Sequence, residues 1–181
     1  MFRANNQRTG VYIENGLERQ PNLKWKTKIS LATSPLNQLE NICLTIQNNY
    51  VIVSQQDGVL NRLDRATGEI VWSIKVGDKI VSHHTISNGI IYLVVIRKTL
   101  DANYECLIAV DLESHRESWT NELASKASLS VDIEAFIELI DPFKNSYVIS
   151  PLIDRDTIYV NSSNGNLYAI EVSNGREKWC F

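Results

Sequence analysis

Tryptophan recurs along this chain at a regular interval. The interval is 47 residues from Trp25 to Trp72, 47 again from Trp72 to Trp119, and 60 from Trp119 to Trp179. A sequence period of about 40 to 50 residues is typical of repeat proteins, in which one supersecondary unit stacks several times to bury a continuous core. The chain is therefore predicted to be a repeat protein.

Turn residues stand at constant distances before the tryptophans. A glycine lies 14 residues before the tryptophan, an acidic residue 8 before it and a second glycine 4 before it. These positions hold Gly58, Asp64 and Gly68 before Trp72, Asp111 before Trp119, and Gly165, Glu171 and Gly175 before Trp179. The copy that ends at Trp119 is weaker, because His115 replaces the second glycine. Glycine suits tight turns between strands because it accepts positive φ without strain at Cβ.

Short apolar runs between these turns predict four strands in each unit, which indicates propeller blades rather than a helical solenoid. The predicted fold is all-β: a partial β-propeller of about three four-stranded antiparallel blades with an extra N-terminal strand. The predicted segments of this single domain are a polar lead-in at 1–22, a lone outer strand at 23–29, blades at 42–76, 80–123 and 146–181, and an insertion at 124–145.

Three segments carry more specific predictions. Residues 90–96 are continuously apolar, as expected of a strand covered on both faces, and residues 97–103 are expected to form a polar surface loop. Within 124–145, a short helix and a strand fit the pattern equally well.

The repeats resemble the pyrroloquinoline quinone-like (PQQ-like) β-propeller repeat. That motif combines an Asp-Gly or Asn-Gly turn, a Leu-Tyr-Ala-Leu-Asp strand and a Thr-Gly-x-x-x-Trp closure. Residues 167–171 match the strand best, and residues 60–64 come next but depart at Arg62, where alanine is usual. The resemblance implies that each tryptophan packs between adjacent blades, that glycine fixes the turn, and that the acidic residue helps to dock it.

The chain provides fewer blades than a closed ring requires. A complete propeller has about four to eight blades, whereas three blades and a lone strand are predicted here. The first and last blades would then expose apolar faces that neighbours normally cover, and such patches mark interfaces. Three explanations remain open: self-association closes the ring, another protein closes it, or the chain is a fragment of a longer product. A protein partner or a homo-oligomer is expected.

No catalytic, cofactor-binding or metal-binding residue is predicted. His83 and His84 are adjacent on a predicted strand edge and would point to opposite faces, so they cannot readily chelate one ion. They and His115 are interpreted as surface or packing residues. The three cysteines are far apart and odd in number, so they form no disulfide framework.

Charge and targeting signals bound the function further. The net charge of −3 gives no electrostatic case for binding nucleic acid or an anionic membrane, and no apolar run is long enough for a membrane span. The N-terminus lacks a signal-peptide pattern. A cytoplasmic location is therefore expected, or a periplasmic one if the natural start lies upstream of Met1.

The predicted function is a noncatalytic protein-binding or scaffold module that needs no cofactor. The alternative is a fragment or subunit of a quinone (PQQ)-dependent oxidoreductase. For such an enzyme the resemblance implies PQQ held with calcium, a general-base aspartate and often a vicinal cysteine pair. No Cys-Cys pair occurs in this sequence, and Asp64, Asp111 and Glu171 are already explained by the repeat.

Overall fold

The computed structural model describes residues 22–29, 42–127 and 150–181. These residues form three antiparallel sheets that follow one another along the chain, here called blades 1, 2 and 3. Blade 1 contains β1 (Cys43–Gln47), β2 (Tyr50–Ser54), β3 (Val59–Asp64) and β4 (Ile70–Lys75). Blade 2 contains β5 (Lys79–Ile80), β6 (Thr85–Ser87), β7 (Ile90–Lys98), β8 (Ala102–Asp111) and β9 (Arg116–Ala127). Blade 3 contains β10 (Leu152–Asp154), β11 (Thr157–Asn161), β12 (Leu167–Glu171) and β13 (Glu177–Cys180).

Within each blade, strands that are consecutive in sequence are mostly neighbours in the sheet, as in a meander. The predicted all-β architecture of stacked antiparallel blades is confirmed. The lead-in predicted at 1–22 lies outside the described residues except at Asn22. The insertion predicted at 124–145 also lies outside them, except at 124–127, where β9 continues.

The segment expected to be a lone strand, 23–29, pairs with no strand of the described residues. Side chains hold it instead. The Trp25 indole and the Thr27 hydroxyl donate hydrogen bonds to backbone carbonyls of blade 1. An alternating pattern predicts which side chains face a core, but a strand also needs a neighbouring backbone to pair with.

Blade 2 has five strands rather than the four predicted, because its innermost segment is split into β5 and β6, which both pair with β7. In the gap, the Ser82 hydroxyl accepts the Val94 N–H at 2.8 Å, where a strand would offer a carbonyl. The polar loop expected at 97–103 was also wrong: β7 extends to Lys98 and β8 begins at Ala102, so only residues 99–101 connect them.

The core lies between the blades. Along β7 and β8 the side chains alternate, so that Ile91, Leu93 and Ile108 face blade 1 while Val94 and Leu107 face blade 3. These side chains are essentially inaccessible to solvent. This explains the continuous apolar run, because a sheet between two other sheets has no polar face.

His84 lies in the gap between β5 and β6 and is buried, whereas its neighbour His83 is exposed. Its Nδ1 is 2.9 Å from the Ser54 hydroxyl of blade 1, and its Nε2 has no hydrogen-bond partner among the described residues. Burial, assisted by repulsion from His83, lowers the pKa of His84 from 6.5 to about 4. The folded protein therefore holds this imidazole neutral.

This burial predicts a specific loss of stability in mild acid. Because the folded pKa is below the unfolded value, the contribution of His84 is present above pH 6.5 and is lost as the pH falls toward about 4. Between about pH 7 and pH 5, the wild-type protein should lose about 2 kcal/mol more unfolding free energy than His84→Asn, whose side chain can retain the bond to Ser54. Urea unfolding across this pH range measures the difference. Parallel pH profiles for the two proteins would contradict the prediction.

Candidate functional site

An acidic residue closes the turn between the last two strands of blade 1 and of blade 2, here called the outer turn. The Asp64 carboxylate accepts the backbone N–H groups of Ala66 and Thr67 at 2.7 and 2.8 Å, and its carbonyl accepts the Gly68 N–H at 2.8 Å. These backbone hydrogen bonds lower the pKa of Asp64. Asp111 makes the same pair of bonds one blade later, and its pKa is likewise lowered. The acidic side chain therefore shapes the turn.

The corresponding turn of blade 3 has glutamate, Glu171, in place of aspartate. The Glu171 carbonyl accepts the Gly175 N–H at 2.9 Å, but its carboxylate accepts side-chain donors from Ser173 and Asn174 instead of backbone N–H groups. The bond from Ser173 is the main cause of the lowered pKa of Glu171. Asn174 in turn accepts the Arg176 N–H at 2.8 Å. One extra methylene thus changes the partners while the backbone turn is kept.

The tryptophan of the preceding blade lies on this turn. Trp119 of blade 2 donates its indole N–H to the Val172 carbonyl at 3.0 Å, and Asn121 donates to the Gly175 carbonyl at 2.9 Å. Gly175 has a φ of 72°, and a Cβ there would come closer than 3.0 Å to the indole ring. Glycine is therefore required for two reasons, its backbone conformation and the space that the indole occupies.

The N-terminal segment contacts blade 1 in the same way. Trp25 donates its indole N–H to the Arg65 carbonyl at 3.0 Å, and Thr27 donates to the Gly68 carbonyl at 2.5 Å. A Cβ on Gly68 would come closer than 3.0 Å to the Trp25 ring. In both junctions, the acceptors are the carbonyl one residue after the acid and the carbonyl of the glycine. The second donor is the residue two positions after the tryptophan.

The junction between blades 1 and 2 is built differently. His115 adopts the turn conformation with a φ of 59°, and its ring packs against Trp72 at a tilt of 43°, with the centroids 5.0 Å apart. The Leu112 carbonyl corresponds to the carbonyl that accepts the indole N–H in the other two junctions. Here it accepts a hydrogen bond from the Arg62 guanidinium instead, at 2.9 Å. The Trp72 indole N–H is buried and has no partner among the described residues.

The sheet register explains how Arg62 reaches this carbonyl. Arg62 on β3 is directly opposite Trp72 on β4, whereas Ala109 and Ala169 are opposite the tryptophans of blades 2 and 3. The guanidinium carbon also lies 3.5 Å from the centre of the Tyr50 ring. The departures from the motif at positions 62 and 115 lie far apart in the sequence, and the structure brings both to one junction.

The earlier glycine of the motif has different surroundings in the two blades that carry it. Gly58 and Gly165 both have positive φ, of 86° and 91°. A Cβ on Gly58 would overlap the carbonyl of Gly77, whereas nothing lies within 4 Å of the corresponding point at Gly165. Backbone conformation is thus the common reason for glycine here, and close approach applies to Gly58 alone.

Trp179 has no turn to cover it among the described residues. It is 44% exposed, and its aromatic contact is with Tyr159, at 6.0 Å between ring centroids. By register, Trp179, Leu152 and Leu167 lie on the face of blade 3 opposite to its contact with blade 2, and Phe181 bonds to Leu167 beside them. These side chains form an apolar surface, here called the blade 3 end face.

Blade 1 has a corresponding surface on its outward side. Leu44 and Ile46 are each 61% exposed, and the register places them on the face opposite to Ile52 and Trp72, which pack on blade 2. This is the blade 1 end face, on which Val53 and Leu63 are buried while Leu44 and Ile46 are exposed. Among the described residues, every large exposed apolar side chain except Leu100 belongs to blade 1 and its flanking segments or to blade 3.

The described residues contain no group of three or more His, Cys, Asp or Glu side chains that is placed to bind a metal ion. Within the same ranges, no helix has the length and apolar character needed to cross a bilayer. The geometry that recurs is a docking geometry: an indole on a glycine turn, flanked by apolar sheet faces.

Stacked four- and five-stranded blades joined by tryptophan-on-turn contacts define a PQQ-like β-propeller repeat protein. The chain matches the family model for the outer membrane protein assembly factor BamB over residues 17–180, and it belongs to this family.

Known proteins resemble the chain over most of its length. BamB of Moranella endobia (strain PCIT) is 26% identical over 81% of this chain and 42% of the relative. The crystal structure of BamB from Moraxella catarrhalis has a TM-score of 0.56 at 16% identity, covering 87% of this chain and 42% of that one. A quinohemoprotein alcohol dehydrogenase from Comamonas testosteroni has a TM-score of 0.51 at 18% identity, covering 76% and 26%. The chain spans about two fifths of the length of the two BamB relatives.

Substitutions at two glycines distinguish the free energy lost by straining the turn from that lost by displacing the indole. Gly165→Ala strains a left-handed backbone in open space, whereas Gly175→Ala also places a methyl group in the Trp119 ring. We expect Gly165→Ala to cost about 1–2 kcal/mol of unfolding free energy, and Gly175→Ala to cost more by at least about 1 kcal/mol. Urea unfolding measures both values. Equal losses would show that the indole does not lie on the turn.

The departures at positions 62 and 115 should be energetically coupled. Arg62→Ala releases the Leu112 carbonyl for the Trp72 indole, and His115→Gly removes the side chain that packs against that indole. The double variant should therefore be less destabilised than the sum of the single variants, by about 0.5–1.5 kcal/mol. A double-mutant cycle in urea measures this coupling. Strict additivity would contradict it.

Proposed function

We propose that this chain is a noncatalytic protein-binding β-propeller module that acts in the assembly of outer-membrane proteins. The observation that carries the proposal is the distribution of exposed apolar side chains. They lie on blade 1, on the segments that flank it and on blade 3, with six of them on the two end faces, while blade 2 exposes a large apolar side chain only at Leu100 among its described residues.

The chemistry of the blade 3 end face suits a protein partner. Trp179 and Phe181 provide large apolar contact area, and Leu167 and Leu152 extend the patch. Aromatic side chains are enriched in the energetically dominant parts of protein interfaces. The paired carbonyls of an outer turn, as seen beneath Trp25 and Trp119, show what kind of backbone receives such an indole in this molecule.

The relatives support the biological setting. The relative from Moranella endobia is named outer membrane protein assembly factor BamB, and the structure from Moraxella catarrhalis is named BamB. We therefore propose a periplasmic location, the second of the two considered from the sequence. The cytoplasmic location expected first has no support from these relatives.

A quinone-dependent oxidoreductase is the less well supported of the two functions. The quinohemoprotein alcohol dehydrogenase is only 18% identical, so its likeness supports a shared fold and no shared chemistry. In the described residues, Asp64, Asp111 and Glu171 are occupied in closing turns. The proposal includes no cofactor.

Retention of outer-membrane proteins on the immobilised chain tests this proposal. A detergent-solubilised outer-membrane fraction of a Gram-negative bacterium is passed over the wild-type chain, Trp179→Ala, and the control Leu100→Ala. The proposal predicts that assembly proteins are retained by the wild type and by the control, and that Trp179→Ala retains at least about tenfold less, as for an interface hot spot.

Two outcomes would contradict the proposal. One is equal retention by all three proteins, or by none. The other comes from incubating the chain with PQQ and calcium: a quinone spectrum that stays with the protein through gel filtration, together with dye reduction, would support the oxidoreductase instead.

A further inference from the structure

The tripeptide Ser-Asn-Gly occurs at 87–89, 163–165 and 173–175, all within the described residues. An asparagine followed by glycine is prone to spontaneous deamidation, because glycine has no side chain to hinder attack by its backbone nitrogen. A further Asn-Gly pair, at 15–16, lies outside the described residues. The asparagines of the three tripeptides are all exposed and have the same neighbours, so only the folded structure distinguishes their reactivity.

The turn that contains Asn174 is held by hydrogen bonds and covered by an aromatic ring. The Asn174 side chain donates to the Glu171 carboxylate at 3.2 Å and accepts the Arg176 N–H at 2.8 Å. The Gly175 N–H, which supplies the nucleophile for deamidation, donates to the Glu171 carbonyl at 2.9 Å. Gly175 is also buried against the Trp119 ring. Deamidation of Asn174 therefore requires all of these contacts to open.

The turn between β11 and β12 restrains Asn164 in a similar way. Its side-chain amide donates to the Tyr168 hydroxyl at 3.1 Å, and its side-chain oxygen accepts the Asn166 N–H at 3.0 Å. The Gly165 N–H donates to the Ser162 carbonyl at 3.0 Å. Because nothing lies within 4 Å of the Cβ position of Gly165, hydrogen bonds rather than crowding protect this asparagine.

Asn88 lacks these restraints. It lies with Gly89 in the two-residue turn between β6 and β7, with φ of 50° and 78°. Neither the Asn88 side chain nor the Gly89 N–H has a hydrogen-bond partner among the described residues. Nothing lies within 4 Å of the Cβ position of Gly89. Because β6 has only 3 residues, this turn can rearrange with the loss of few hydrogen bonds of the sheet.

We propose that Asn88 is a site of spontaneous deamidation in the folded protein, whereas Asn164 and Asn174 are protected by their turns. The Gly89 nitrogen gives its proton to hydroxide and attacks the side-chain carbonyl carbon of Asn88. The carbon–nitrogen bond of the amide breaks, and ammonia leaves with a proton from water. Water then opens the cyclic imide at either of its carbonyls, which gives aspartate or isoaspartate at position 88.

The isoaspartate product should disturb the junction between blades 1 and 2. It adds one methylene group to the main chain immediately before Gly89, whose carbonyl accepts the Leu112 N–H at 3.0 Å. The Leu112 carbonyl in turn accepts a hydrogen bond from the Arg62 guanidinium of blade 1 at 2.9 Å. A displacement of Gly89 therefore affects the residue to which Arg62 binds.

Peptide mapping by mass spectrometry, after long incubation of the full chain in mildly alkaline buffer, tests the proposal. We expect Asn88 to deamidate at least about tenfold faster than Asn164 or Asn174, the factor that corresponds to one or two ordinary hydrogen bonds. In urea that unfolds the chain, the three sites should react at similar rates, because each follows serine and precedes glycine. The control Asn88→Gly has no amide to lose and keeps a sequence suited to this turn.

Similar rates at the three sites of the folded chain, or an Asn88 that reacts only in urea, would overturn the proposal. Urea unfolding tests the effect on the junction. Incubated wild type should unfold at a lower urea concentration than fresh wild type, while incubated Asn88→Gly and the aspartate mimic Asn88→Asp should not show this loss. Unchanged unfolding of protein that carries isoaspartate at position 88 would overturn the effect on the junction. No partner takes part in these measurements, so their outcome is independent of the proposed function.

Discussion

The contact on which this structure depends is an indole ring lying on the acid-closed turn of the next sheet. This contact links a local feature of the sequence, the turn glycine, to the packing of two sheets. The residue that adopts the left-handed conformation in the turn is also the residue against which the ring packs. In the Trp119 junction, glycine at position 175 satisfies both needs, and two carbonyls exposed by the turn accept hydrogen bonds from the preceding blade. Apolar side chains of the facing sheets then fill the space between the blades. Each of these partly buried hydrogen bonds contributes about 1 kcal/mol, so the apolar contact provides most of the stability.

The junction between blades 1 and 2 shows that the same stacking tolerates a different turn. His115 takes the left-handed position and offers a ring to Trp72, while Arg62 bonds to the carbonyl that the indole would use. The buried indole N–H of Trp72 is left without a partner among the described residues, which is unfavourable. The apolar cluster that contains Ile52, Leu60 and side chains of β7 and β8 holds these blades together despite that cost.

The sequence was most informative where the signal is local. The tryptophan interval, the glycine turns and the run at 90–96 predicted three stacked blades, because turn conformation and side-chain alternation depend on nearby residues. The split of the inner strand at Ser82 could not be predicted, since it depends on a hydroxyl that meets the Val94 N–H from a different strand. The pairing state of 23–29 likewise depends on a neighbour that the alternation does not specify. The partners of the indoles are carbonyls 40 to 53 residues away, and no spacing rule identifies them in advance.

The central claim is that the indoles of Trp25 and Trp119 lie on Gly68 and Gly175, and proton NMR of the glycine Hα resonances tests it most directly. An aromatic ring over a glycine shifts its Hα protons upfield. The account predicts that Gly68 and Gly175 are shifted well upfield of Gly89 and Gly165, which have nothing within 4 Å of their Cβ positions. In Trp119→Leu, the Gly175 shift alone should return to the ordinary range. Similar shifts for all four glycines, or a Gly175 resonance that does not change in Trp119→Leu, would contradict the account.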